Sequence, residues 1–137
     1  MPFYCWNITV TADKKEDEPL TKWLKLTRGI ITRIDIKFPA GCHGLVKVRL
    51  FQESLQLIPL SEDEWVTGDG ELIPTETYAE LTDKPYQLKF VACSPTTIHS
   101  HVITVRIQVT PFSANMMSLL KQIADELGIG EEGETVE

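Results

Sequence analysis

The strongest constraint on the fold is a regular alternation of apolar and polar residues within residues 29–51. Its first half has an apolar row of Ile30, Ile34, Ile36 and Phe38, with Arg33, Asp35 and Lys37 between. Successive side chains of a β-strand point to opposite faces, so a strand buries one row and exposes the other. A helix would spread both rows around its circumference. Residues 29–38 are therefore predicted to form a strand.

A second strand is predicted after a short connection. Residues 39–44 read PAGCHG, in which proline removes a backbone donor and two glycines permit positive φ angles. The alternation then resumes in residues 45–51, whose apolar row is Val46, Val48 and Leu50. So short a connection favours antiparallel pairing of the two strands as a hairpin.

The same alternation of apolar and polar residues recurs along most of the chain and predicts an all-β domain over residues 1–112. Further strands are expected at residues 3–11, 20–27, 55–60, 85–93 and 101–110, with one short strand within residues 71–83. About eight strands, with turn signals every eight to twelve residues, are typical of an antiparallel β-sandwich or jelly roll. No strand–helix–strand alternation appears, so a parallel α/β sheet is not expected.

The pattern changes after Pro111, and residues 113–137 are predicted to be a C-terminal amphipathic helix followed by an acidic tail. Ser113 is a good N-cap, and Gly128 supplies a C-cap. Between them the apolar residues recur at helical spacing, and they include Met116, Leu120, Ile123 and Leu127. This helix must bury its apolar face on its own domain or on a neighbouring subunit.

Composition excludes several classes of protein. The net charge of −7 argues against nucleic-acid binding, because phosphate neutralisation needs clustered Lys and Arg. The three cysteines, Cys5, Cys42 and Cys93, are far apart and form no disulfide or metal motif, which favours a reducing compartment. The N-terminus does not resemble a signal peptide, and no apolar run approaches the roughly 20 residues of a membrane span. Neither secretion nor a membrane partner is expected.

No residues are predicted to be catalytic, to bind a cofactor or to bind a metal. His99 and His101 share a strand face, and with Cys42 and His43 they could be imagined as zinc ligands, but nothing in the sequence brings Cys42 near them. Cys42 beside His43 is a poor nucleophile and base, because neighbouring side chains diverge. No phosphate-binding glycine loop is present. The chain is therefore predicted not to be an enzyme.

Aromatic residues indicate an interface instead. Trp23 falls on the strand face opposite Leu20, Leu24 and Leu26, so a second sheet covers one face or that face binds a partner. The candidate interface residues are Trp23, Trp65, Met116, Met117, Leu120 and Ile123.

Two segments carry a resemblance to a known group of proteins. They are residues 41–65, GCHGLVKVRLFQESLQLIPLSEDEW, and residues 99–111, HSHVITVRIQVTP. Their general sequence character resembles that of the small β-sandwich structural proteins of tailed bacteriophage and prophage virions, namely capsid decoration and accessory head or neck proteins. The resemblance implies a non-enzymatic homo-oligomer that binds a capsid or another virion structural protein. It also implies location in the virion, after assembly in the host cytoplasm.

Two alternatives remain open from the sequence. A carbohydrate- or ligand-binding sandwich would require Trp23 or Trp65 to be exposed beside polar groups. A metal-dependent enzyme of the double-stranded β-helix type would require His99, His101 and a carboxylate to converge.

Overall fold

The computed structural model describes residues 3–112 together with residues 122 and 123. It contains eight strands, which are β1 Phe3–Val10, β2 Leu20–Lys25, β3 Gly29–Phe38, β4 Lys47–Gln52, β5 Leu55–Ile58, β6 Glu71–Leu81, β7 Gln87–Cys93 and β8 His101–Thr110. The prediction of an all-β domain is confirmed over this range. The predicted C-terminal helix and acidic tail lie outside the described residues, apart from Gln122 and Ile123.

The strands form two antiparallel sheets of four strands each. The first sheet has the order β1-β8-β3-β6, and the second has the order β2-β7-β4-β5. The pairs are nested along the chain: β4 pairs with β5, β3 with β6, β2 with β7 and β1 with β8. This is the strand order of an eight-stranded jelly roll.

The core lies between the two sheets and uses the apolar rows that the sequence predicts. Ile34, Ile36 and Phe38 of the first sheet are fully buried, as are Leu88 and Phe90 of the second sheet. The predicted row of β3 is interrupted at one point. The pairing register shifts between Ile31 and Arg33, so that both Ile30 and Ile31 are buried and Thr32 is the extra residue.

The predicted hairpin of residues 29–51 is wrong. β3 lies in the first sheet, β4 lies in the second, and the hairpin partner of β4 is β5. Residues 39–46 therefore cross the gap of about 10 Å between the sheets. A strand that buries one face shows the same alternation in either sheet, so alternation cannot identify its neighbours.

The nested order gives the sandwich two unlike ends. Four connections gather at one end, and they are residues 11–19, 39–46, 59–70 and 94–100. The opposite end has only the shorter connections of residues 26–28, 53–54 and 82–86. Functional residues are found preferentially on loops held by a rigid scaffold, which makes the loop-rich end a candidate location for a site.

Candidate functional site

The three histidines of the chain meet at the loop-rich end. His43 lies in the connection between β3 and β4, His99 precedes β8, and His101 is the first residue of β8. All three line one cleft of about 510 Å³, together with the apolar side chains of Leu45 and Ile98. This arrangement could not be predicted from the sequence, because it depends on how the sheets bring two distant loops together.

Asp69 holds one wall of this histidine cleft in place. One carboxylate oxygen accepts a hydrogen bond from the Gly41 backbone N–H at 2.9 Å, and the other lies 3.6 Å from His43 Nδ1. Backbone N–H groups of His43 and Gly41 lower the pKa of Asp69, because they stabilise its charged form. His43 has a positive φ angle, which is uncommon for a residue other than glycine, and the contacts of Asp69 stabilise the turn that contains it.

The opposite wall is tied to the connection between β1 and β2. The Ser94 hydroxyl donates to the Thr11 carbonyl at 2.7 Å, and the Ser94 N–H donates to the Lys14 carbonyl at 2.7 Å. The Thr97 hydroxyl donates to the Ser94 carbonyl at 3.1 Å. Both buried hydroxyls therefore have partners, and the loop presents Ile98, which is 82% exposed, to the surroundings.

A buried thiol lies next to the histidine cleft. Cys42, between the cleft residues Gly41 and His43, is fully buried, and burial raises the pKa of its thiol. A nucleophilic cysteine needs the opposite shift, toward the thiolate. Within the described residues, no group of three or more His, Cys, Asp or Glu side chains is placed to hold a metal ion. The convergence that a metal-dependent enzyme requires is thus not found there.

The outer face of the second sheet combines aromatic and cationic side chains. Trp23 on β2 is 48% exposed and Leu24 beside it is fully buried, so the two residues lie on opposite faces of the strand, as the alternation predicts. Lys89 pairs in register with both Trp23 and Phe51, and its Nζ lies 5.9 Å and 5.0 Å from their ring centroids. Arg49 lies over the ring of Trp65, with its Cζ 3.9 Å from the centroid. We call the set Trp23, Lys25, Arg49, Phe51 and Lys89 the cationic face.

The charged residues in the strands of this sheet are all cationic. Its four strands contain five Lys and Arg residues and no Asp or Glu. Lys47 pairs with Glu16 at 2.8 Å, and this hydrogen bond raises the pKa of Lys47 and lowers that of Glu16. No ion pair involves Lys25 or Lys89 in the part of the chain that the structure describes. Arg49 and Phe51, by contrast, line a cleft with Glu62 and Asp63 of the connection between β5 and β6.

The outer face of the first sheet is balanced by comparison. Arg33 donates to Asp35 at 2.9 Å, and both line a shallow cleft of about 310 Å³ with Phe3 and Arg106. Arg106 pairs in register with Cys5 on one side and Asp35 on the other. Cations and a carboxylate thus alternate on this face.

The two outer strands of the first sheet differ in how they protect their free edges. β6 carries Pro74, three glutamates and a register shift, which are devices that prevent further strand pairing. β1 has the sequence FYCWNITV, with no charge and no proline, and it pairs with β8 through eight residues without a shift. Its first residue, Phe3, is 61% exposed. Within residues 3–112, β1 is therefore an unprotected edge.

The predicted interface residues fall into three groups. Trp23 and Trp65 are brought to the outer side of the second sheet, where Trp23 is exposed and Trp65 is half-buried. Ile123 is 43% exposed. Met116, Met117 and Leu120 lie outside the described residues. The sequence pointed to Trp23 through the alternation of β2, whereas it gave no indication that β1 ends a sheet.

Comparison with protein-family models and with curated proteins finds no match for this chain. In the described residues, no helix has the length and apolar content that crossing a membrane requires.

Proposed function

We propose that this chain is a non-enzymatic assembly protein that self-associates through the free edge of β1. The observation that carries the proposal is the lack of protection on that edge. Monomeric sheet proteins block their outer strands with charges, prolines, bulges or short length. β6 has the first three, β2 has Lys22 and Lys25, and β5 is only four residues long. β1 has none of them.

The self-association we propose is antiparallel pairing of β1 with β1 of a second copy. A two-fold axis near Trp6 would place Phe3 opposite Thr9 and Cys5 opposite Asn7, so side chains on one face meet others of the same face. No like charges would oppose each other, because β1 has no charged residue. The paired strands, each about 27 Å long, would join two four-stranded sheets into one of eight.

The wider setting we propose is a virion, in which the homo-oligomer binds a capsid or another structural protein. Support comes from the resemblance of residues 41–65 and 99–111 to small phage structural proteins, and the jelly-roll strand order is compatible with it. The proposal assigns no reaction to the chain, in keeping with the buried thiol of Cys42. Neighbouring genes for portal, capsid or tail proteins would support this setting, and a neighbourhood of metabolic genes would count against it.

The self-association is tested by adding charge to the β1 edge. In the double variant Cys5→Lys and Thr9→Lys, both substituted positions are exposed. Lysines on an edge strand oppose pairing, so this variant should be monomeric by size exclusion with light scattering, whereas the unchanged chain should be a dimer or larger. Circular dichroism should show the same strand content for both.

The matched control is Leu72→Lys with Tyr78→Lys, which adds the same charge to exposed positions on β6. It should keep the mass of the unchanged chain. If the unchanged chain is monomeric at high micromolar concentration, the proposed self-association is wrong. It is also wrong if the double-lysine β1 variant keeps the full mass.

A further inference from the structure

Arg106 has a buried hydrogen-bond donor without an acceptor. It lies on β8, an inner strand of the first sheet, directly between Cys5 of β1 and Asp35 of β3. Its Nε atom is buried, and no atom of the described residues accepts a hydrogen bond from it. A buried donor that makes no hydrogen bond costs free energy, so such groups are rare in folded proteins. An acceptor from outside the described chain would remove that cost.

The carboxylate opposite Arg106 is already engaged. Asp35 accepts a hydrogen bond from Arg33 Nε at 2.9 Å, and it makes no ion pair with Arg106 in the part of the chain that the structure describes. Glu76 lies opposite Arg33 on the side away from β8, and Lys37 is the next exposed residue along β3. These three cations and two carboxylates leave this region of the sheet with one net positive charge.

The guanidinium of Arg106 lines the shallow cleft of about 310 Å³ described above, which we call the Arg106 cleft. Its other lining residues are Phe3, Arg33, Asp35, Ile107 and Gln108. Phe3 is 61% exposed and pairs in register with Gln108, so its ring is an apolar wall two residues along the sheet from Arg106. The volume is at the lower end of the range of about 300–1,000 Å³ that is typical of small-molecule sites.

We propose that the Arg106 cleft binds a small organic molecule that carries one carboxylate next to an apolar group. The Nε–H and one Nη–H of an arginine donate two parallel hydrogen bonds to a carboxylate, which would give the buried Nε its acceptor. One net positive charge matches a monoanion, whereas a phosphate dianion would be repelled by Asp35. The apolar group would contact the ring of Phe3. This site goes beyond the proposed self-association and does not rest on it.

Nuclear magnetic resonance of the ¹⁵N-labelled full-length chain tests the site, with 3-phenylpropionate as the probe. The Arg106 Nε–H signal should shift and saturate below about 10 mM, since a ligand of this size binds with roughly millimolar affinity. The Nε–H signal of Arg49 should stay in place, because that atom already donates to the Glu64 carbonyl. The neutral analogue 3-phenylpropionamide should bind at least about tenfold more weakly, because it lacks the charged acceptor.

Substitutions identify the residues that hold the carboxylate, with affinities followed through the backbone amide of Gln108. Arg106→Lys keeps the charge but cannot form the paired hydrogen bonds, so it should weaken binding at least about tenfold. Phe3→Ala should weaken it at least about threefold, through loss of the ring contact. The matched control Lys37→Gln removes one positive charge from the same outer face but lies outside the cleft. It should change the affinity less than about twofold.

Four results would overturn the inference. They are the absence of a saturable Arg106 shift, equal affinity for the acid and its amide, equal losses in Arg106→Lys and Lys37→Gln, and tighter binding of phenyl phosphate. The backbone amide spectrum shows whether each variant keeps the fold, and the comparison of acid with amide needs no variant. A peptide that ends in phenylalanine and binds at least about tenfold more tightly than 3-phenylpropionate would make a polypeptide terminus the ligand, and this too would overturn the inference.

The chain itself is a competing source of carboxylates, because residues 125–137 contain six acidic side chains. A full-length variant in which all six are replaced by their amides tests this source. Without ligand, its Arg106 Nε–H signal should match that of the unchanged chain. A different position would mean that the acidic residues supply the acceptor, and the proposed ligand would then be wrong.

The result for the Arg106 cleft is separable from that for the β1 edge. Arg106 lies on an inner strand, so Arg106→Lys should keep the mass of the unchanged chain in light scattering. A monomeric chain that binds 3-phenylpropionate would refute the β1 contact alone. A dimer that does not bind it would refute the ligand site alone.

Discussion

The two sheets share one core, but their outer faces differ in charge and their edges differ in how they are protected. The first sheet has strands of 8 to 11 residues, an outer face with a paired Arg33 and Asp35, and one edge that no described residue protects. The second has strands of 4 to 7 residues, short edges and an outer face of cations and aromatic rings. The first sheet thus presents a backbone edge, the contact of the proposed self-association, whereas the second sheet presents cationic and aromatic side chains.

The comparison holds only if the sheets form one cooperative unit, and paired core substitutions test this. Phe38 of the first sheet and Phe90 of the second are both fully buried. Phe38→Ala and Phe90→Ala should each reduce the free energy of unfolding by about 3–5 kcal/mol, through lost transfer energy and a residual cavity.

Urea denaturation measures the free energy of unfolding of both variants. The control is Leu60→Ala at an exposed loop position, which should change that free energy by less than about 0.5 kcal/mol. Two transitions in either variant, or a Phe90→Ala cost near that of the control, would mean that the sheets unfold separately.

A smaller effect is expected where β3 of the first sheet passes close to the end of β8. A Cβ atom at Gly29 would lie 2.7 Å from the Thr110 carbonyl oxygen and 2.8 Å from Val109 Cγ1. Gly29→Ala should therefore destabilise the fold by about 1–3 kcal/mol, because packed backbone must move. The strands of the second sheet contain no glycine and have no equivalent position.

Gly44→Ala is the control, since a Cβ there meets nothing within 4 Å and only the positive φ angle opposes it. Thermal unfolding should rank Gly29→Ala below Gly44→Ala in midpoint. The reverse order would show that the approach of β3 to β8 is looser than described.

The smallest effect concerns the ion pair between Glu16 and Lys47 at the border of the second sheet. Hydrogen bonding to Lys47 lowers the pKa of Glu16 in the folded chain, so its contribution to stability is present above the ordinary glutamate pKa of about 4.3. That contribution is lost as the pH falls through the lower folded pKa.

Glu16→Gln should thus lower the unfolding midpoint slightly at neutral pH and not at all in acid. Calorimetric scans at the two conditions measure the difference. An equal loss at both would mean that Glu16 acts through packing and not through its charge. Exposed pairs of this kind contribute little, so the change should be smaller than for either substitution above.

Most of the strands could be predicted from the sequence, because each strand buries one face and its apolar residues therefore alternate with polar ones. The alternation of Arg33, Asp35 and Lys37 with buried neighbours located β3, and that of Trp23 with Leu24 located β2. The pairing of strands could not be read, since identical alternation serves in either sheet. This is why the hairpin of β3 with β4 was a wrong prediction.

The candidate sites divide in the same way. Local alternation predicts that Trp23 and Leu24 lie on opposite faces of β2, but it left open which of the two faces is covered. The meeting of His43 with His99 and His101 requires two loops separated by about 50 residues to lie together, and the edge position of β1 requires the whole strand order. The charge asymmetry between the sheets was present in the sequence but became visible only once strands were assigned to sheets.

The nested strand order also determines when, during synthesis of the chain, the fold can be completed. β1 has β8 as its partner, and β8 begins about 90 residues later in the chain. At about 5–20 residues per second, a ribosome needs roughly 5–20 seconds to make the intervening segment. During that interval both sides of β1 are open, and long-range pairing of this kind folds slowly. Chaperone demand should therefore peak just before synthesis of β8 is complete, and copies should join only after release from the ribosome.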